Sequence, residues 1–120
     1  SWAEKILTQH PEVTAIMAAN DVAAAGCVRR LKEMGRSVPG DISVTGYDGT
    51  SQSEICDPRI TTADLRLDKM GRLAADRIVN AVLDPATYQP RITKIQTPLV
   101  IRESTAPPKK IKPKKVPVHG

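Results

Sequence analysis

The sequence contains no phenylalanine, one tryptophan and two tyrosines, so its core cannot rest on large aromatic side chains. Apolar residues still fill 40% of its 120 positions. That suffices for one domain, or one large subdomain, built from Leu, Ile, Val, Ala and Met. No run approaches the roughly 18 apolar residues that a membrane span requires. Histidine is almost absent: His10 precedes a helix-ending proline and His119 lies near the C-terminus. A nucleophile with a positioned base is hard to assemble from that supply. Walker-loop, GxGxxG and HExxH patterns are missing, and Asp41, Asp48, Asp57 and Asp64 are scattered over expected loops. No enzymatic function and no cofactor are expected. Cys27 and Cys56 share no CxxC spacing and have no His or Cys close in sequence, which argues against a metal site. They read as reduced thiols serving as small apolar residues.

The net charge of +5 suggests a nucleic-acid partner until it is located. Residues 106–120 hold five of the 18 basic residues and no acid, which leaves 13 basic against 13 acidic residues elsewhere. The body is neutral, so a basic face for DNA is not supported within it. The tail, PPKKIKPKKVP, is rich in donor-less prolines and like charges, so no packed structure is expected over 106–120. A solvated tail and a basic arm touching phosphate or an acidic partner are the two readings of it. No signal peptide is visible, and the chain opens at Ser1 in what reads as a helix, so a piece of a longer protein is expected.

Residues 1–105 read as one folded unit. Ser1-Trp2-Ala3-Glu4 has the form of a capping box before a short helix to about Thr8. Thr14 to Ala18 is a run of strand length. Asn20 then caps a helix whose apolar positions Ala24, Cys27, Val28, Leu31 and Met34 share one face. Gly35 sits where a left-handed C-terminal cap belongs. Ile42 to Tyr47 predicts a second strand, Glu54 to Asp57 a helical turn, and Ile60 to Ala63 a third strand. Asp68 to Leu83 predicts the longest helix, and Arg91 to Arg102 two short strands broken by Pro98. Alternating helices and strands indicate an α/β fold, a mostly parallel sheet flanked by helices.

Ligands of parallel sheets gather at the carboxyl ends of the strands. Two such ends carry polar groups here: Asn20-Asp21 after the first strand and Asp48-Gly49 after the second. A carboxylate that accepts from two hydroxyls, beside an amide that both donates and accepts, suits a polyhydroxylated ligand. Asn20 also reads as an ordinary N-cap, and Asp48 beside Gly49 as a turn former.

Four blocks, TAIMAANDVAAAG (14–26), VPGDISVTGYDG (38–49), PRITTADLRLDKMGRLAADRI (58–78) and LVIREST (99–105), resemble the C-terminal lobe of LacI/GalR-type bacterial transcription regulators, in order and spacing. The resemblance covers essentially residues 1–107. It implies one lobe of a periplasmic-binding-protein-like fold, in which two α/β lobes are hinged around a small effector, with operator DNA bound by a headpiece absent from this chain. It further implies that Asn20 and Asp48 contact the effector, most simply a carbohydrate, or a nucleoside. The third polar position of the family falls on Leu65, a departure that suggests an apolar edge on the ligand, and Asp21 supports the loop or joins the site. Homodimerisation is implied through the helix after Asn20, with Ala24 and Val28, and through the segment after Asp48, with Ile55 and Cys56. Ordinary packing explains Ile55 and Cys56 equally well. The implied compartment is the cytoplasm, without membrane attachment. A periplasmic sugar-binding transport receptor is the rival reading, since it shares the fold and the Asn/Asp pair.

Overall fold

The computed structural model describes residues 2–109. The expected cap at Ser1 and most of the basic tail, from Lys110 on, lie outside the described residues. The elements run α1 (Trp2–Gln9), β1 (Ala15–Met17), α2 (Asp21–Glu33), β2 (Ser43–Asp48), α3 (Ser51–Ile55), β3 (Thr61–Asp64), α4 (Leu67–Leu83) and β4 (Leu99–Val100). The strands form one sheet in the order β1-β2-β3-β4. β1, β2 and β3 are parallel, and β4 closes the sheet antiparallel to β3. The expected α/β class with a mostly parallel sheet is what folds.

α2 shows how the sequence writes this architecture. The Asn20 side chain accepts from Ala23 N at 2.8 Å and so satisfies one amide of the first turn. Ala24, Val28 and Leu31 follow at helical spacing and are buried, packing with Leu7, Ile42, Val44 and Ile60 in the core. At the far end Gly35, at φ +72, allows Gly35 N to reach Lys32 O and Arg36 N to reach Leu31 O, the pairing of a Schellman motif. Arg30 then ties α2 to α1 through Glu4 at 2.9 Å.

The terminal LVIREST block is a structural part of the sheet. Ser104 is fully buried between the N-terminal ends of β2 and β3. Its backbone donates to Arg59 O and accepts from Val44 N, while its hydroxyl donates to Val44 O and accepts from Thr61 N. Arg102 reaches Ser53 Oγ at 2.8 Å and Ile60 O at 3.0 Å, anchoring α3 from beneath. The start of the tail is held as well. Ser43 Oγ bridges both backbone groups of Ala106 at 3.1 Å, and Lys109 pairs with Asp41. Lys109 and the Ser37 backbone and hydroxyl hold the Asp41 carboxyl well below the usual carboxylate range.

Two expectations need correction. The short helix is Ser51–Ile55 rather than Glu54 to Asp57. Pro58 pushes the residue before it out of helical geometry, and Cys56 is already extended, so the turn must finish earlier. Of the two strands expected over 91–102, only Leu99–Val100 pairs. Pro98 O still accepts from Asp64 N of β3 at 2.9 Å, but residues 91–97 belong to no strand, and Pro90 and Pro98 remove donors at the ends of the segment.

α4 is the outlier. It is the longest helix, with Met70, Leu73, Ala74, Ile78, Ala81 and Val82 along one side, yet none of its residues is buried. A hollow of about 620 Å³ separates Arg66, Lys69 and Leu73 from Thr93 to Pro98. Ile78 is 67% exposed.

Candidate functional site

Parallel pairing brings the carboxyl ends of β1, β2 and β3 to one rim. Met17 pairs with Thr45, so Asn20 and Asp48, each three residues further on, reach the same level. Asp48 pairs with Asp64 directly. The rim sequence is therefore Asn20, Asp48, Asp64, with Leu65 and Arg66 following. Asn20, Asp48 and Leu65 are all half-buried.

The backbone at the middle of this rim is unusual. Asp48 adopts φ +104 and Gly49 φ +75. A non-glycine residue held in a sparsely populated region costs on the order of 1–3 kcal/mol and persists where its surroundings fix it. One such constraint is the bond from Leu65 N to Asp48 O at 3.1 Å. Gly49 is required twice over, since a Cβ there would lie 2.7 Å from Asp64 Cα and 2.7 Å from Asp64 Oδ1. Asp64 Oδ1 also accepts from Arg66 N at 2.8 Å, which turns the chain into α4.

Asn20 keeps its amide NH2 and one carbonyl lone pair available while it caps α2, so capping and ligand contact coexist. The Asp48 carboxylate takes no hydrogen bond or ion pair among the described residues. The two groups together offer donors and acceptors to hydroxyls, with a second carboxylate at Asp64. Asp21 differs. It is 0% exposed, and its oxygens accept from Thr50 N, Thr50 Oγ1 and Thr62 Oγ1 at 2.6, 3.0 and 2.6 Å. It supports the rim from below and presents nothing to solvent.

Thr50, Thr62 and Gly46, which complete this arrangement, carried no signal in the sequence beyond standing near strand ends. A Cβ on Gly46 would fall 2.3 Å from Asp21 Oδ1, so glycine leaves the room the carboxylate occupies. Among the described residues no group of three or more His, Cys, Asp or Glu is placed to hold a metal ion. No helix among them is long and apolar enough to cross a membrane.

The four residues expected at a dimer contact separate. Ala24 and Val28 are 0% and 1% exposed within the core of this chain and have no surface to offer a partner. That expectation is corrected: the apolar stripe of α2 faces its own sheet. Cys56 is half-buried against the same core, and burial pushes its thiol pKa up, as it does for Cys27. Ile55, 73% exposed, is the one of the four that stands free.

Residues 1–105 match the family described as periplasmic binding protein-like domain. The regulator of the NTD biosynthesis operon of Bacillus subtilis, NtdR, is 36% identical over 92 residues, which cover 77% of this chain and 28% of that protein. A LacI family transcriptional regulator from Arthrobacter sp. FB24, solved in complex with lactose, superposes with a TM-score of 0.76 at 38% identity, covering 87% of this chain and 40% of that one. The dimeric Lac repressor with an 11-residue C-terminal deletion gives a TM-score of 0.80 at 31% identity, over 90% of this chain and 39% of that one. The chain thus spans well under half the length of the proteins it matches.

Proposed function

The chain belongs to the LacI/GalR family of transcription regulators as part of its periplasmic-binding-protein-like effector domain, and from that premise we propose that it forms one wall of the cleft in which the whole regulator senses a small polyhydroxylated effector, a carbohydrate or a nucleoside. The observation that carries this reading is the alignment of Asn20 and Asp48 at one level of the sheet rim, with Asp48 unpaired and held at a strained φ. The related regulator solved with lactose supports a carbohydrate at such a site. Asp48 accepts from two hydroxyls, Asn20 donates its amide, and Leu65 supplies an apolar flank.

Sensing follows from the incompleteness of that wall. The second wall belongs to another lobe, and the ligand favours the lobe arrangement in which both walls reach it. Only this differential affinity shifts the equilibrium that headpieces on operator DNA would read. α4 and the segment through Thr97 are the part of this chain that crosses to the other lobe. That placement accounts for a long amphipathic helix with no buried residue, in a chain whose relatives are much longer. The domain boundary therefore falls inside residues 1–105, with 2–65 and 98–106 in the lobe seen here. The regulator works in the cytoplasm as a homodimer, and the exposed Ile55 at the end of α3 sits on the dimer face.

The test is calorimetric titration of the intact parent protein with lactose, cellobiose, ribose and adenosine. At least one binds, and Asn20→Ala and Asp48→Ala each weaken it by about tenfold or more, the effect of a lost charge-assisted or bidentate contact. Unchanged affinity in both variants contradicts the assignment. For the dimer face, Ile55→Asp dissociates the parent in sedimentation equilibrium, and an unchanged mass removes Ile55 from the interface.

A further inference from the structure

Asp21 is a fully buried carboxylate at the first position of α2. Its three hydrogen bonds reach two other strand ends, and its own place after β1 supplies a third. Asp21 itself follows Asn20. Thr50, two residues after Asp48, gives both its amide and its hydroxyl to Oδ2. Thr62, two residues before Asp64, gives its hydroxyl to Oδ1. Each anchor thus lies within two residues of a rim group. Gly46 of β2 leaves room for the carboxylate, since any Cβ there would meet Oδ1.

Stability alone does not call for this arrangement. A buried carboxylate is costly to desolvate, and well-packed apolar side chains of similar volume commonly do as well or better. A three-way hydrogen-bonded carboxylate has directional bonds, which an apolar plug lacks, and so fixes the distances between the segments it joins. Resting on the effector-cleft reading above, we infer that Asp21 is the positioning residue of the site: it sets the spacing of Asn20 and Asp48 without touching the ligand, and Thr50, Thr62 and Gly46 are its seat.

The experiment compares variants of the intact parent protein. Ligand affinity is measured with whichever of lactose, cellobiose, ribose and adenosine the wild type binds most tightly, at a temperature where circular dichroism shows each variant folded. Asp21→Ala lowers affinity about tenfold or more, as a displaced rim contact would. Asp21→Asn restores it to within about threefold, because its oxygen still accepts from Thr50 and its amide donates to the lone pairs of the Thr62 hydroxyl. Thr62→Val, which removes one bond at nearly constant shape, gives an intermediate loss and carries the test if Asp21→Ala does not fold. Gly46→Ala expels the carboxylate and reproduces the Asp21→Ala loss. The double variant Gly46→Ala/Asp21→Ala is no worse than the poorer of its two single variants, since both act through one group. A merely structural Asp21 would lower the melting temperature and leave the affinity of the folded protein intact. Wild-type affinity in Asp21→Ala or Thr62→Val, with Asn20→Ala and Asp48→Ala impaired, overturns the positioning role alone. Normal binding by Asn20→Ala and Asp48→Ala, or no binding of any probe by the wild type, overturns the cleft reading and this inference with it.

Discussion

The sheet body and the α4 segment are both written in apolar periodicity, yet only one of them folds onto itself. In the body, α2 turns Ala24, Val28 and Leu31 onto Val44 and Ile60, and every one of these is buried. In α4, Met70, Ile78 and Val82 repeat at comparable spacing and remain exposed. An amphipathic pattern specifies that a face will be covered, and says nothing about what covers it. Most helical stability in proteins comes from that packing rather than from intrinsic propensity, so the two regions should respond to the same perturbation very differently.

Truncation gives the largest contrast. Leu31→Ala empties a fully buried site and costs about 2–5 kcal/mol, the range for large-to-small core changes. Ile78→Ala in the same chain stays within about 0.5 kcal/mol, as surface substitutions do. Urea denaturation of both variants checks this, and repeating Ile78→Ala in the intact parent sharpens it. There the cost rises toward the core range if the other lobe covers α4, and a cost that stays small would break the comparison. Hydrogen exchange offers a second contrast. Amides of β2 exchange only through global unfolding, whereas those of α4 exchange through local opening with lower protection. Equal protection would mean that α4 has found a partner within this chain.

Acid should act on the body by a smaller amount. Arg30 holds the Glu4 carboxyl below its usual range, Arg59 does the same for Glu103, and Lys109 with Ser37 for Asp41. Each carboxyl binds its proton more readily in the unfolded chain, so the unfolded state takes up more protons as pH falls below about 4.5, the upper ordinary value of these groups. Stability from these pairs is present above that range and is lost progressively beneath it. Glu103 is exposed and Glu4 and Asp41 are half-buried at the surface, so the loss is modest and shrinks further in high salt. A denaturation midpoint that rises between pH 5 and pH 3 would contradict the sign.

Much of this was legible in the sequence because it is local. Asn20 announced its cap, Gly35 its left-handed turn, and Asp48-Gly49 the sharp exit from β2. The α/β alternation and the family blocks placed the rim. What escaped depends on contacts distant in sequence. Ala24 and Val28 carry the same apolar signal whether they face a core or a partner, and only the direction of α2 against the sheet decides. Ser104 and Arg102, prominent in a family motif, turn out to fill the seam between β2 and β3. Thr50 and Thr62 look like ordinary strand-end residues until the buried carboxylate of Asp21 joins them. The short helix shifted because Pro58 limits where it can end, a constraint that acts from outside the helix itself.

If the strand-end rim of this chain is one wall of an effector cleft, the ligand must sit on it. A crystal structure of the intact parent with its tightest-binding carbohydrate or nucleoside tests this most directly. Ligand hydroxyls are expected within hydrogen-bond reach of both Asn20 and Asp48, roughly 2.6–3.2 Å, with Leu65 against an apolar edge. A ligand seated elsewhere, with Asn20 serving only as a helix cap and Asp48 facing solvent, would contradict it.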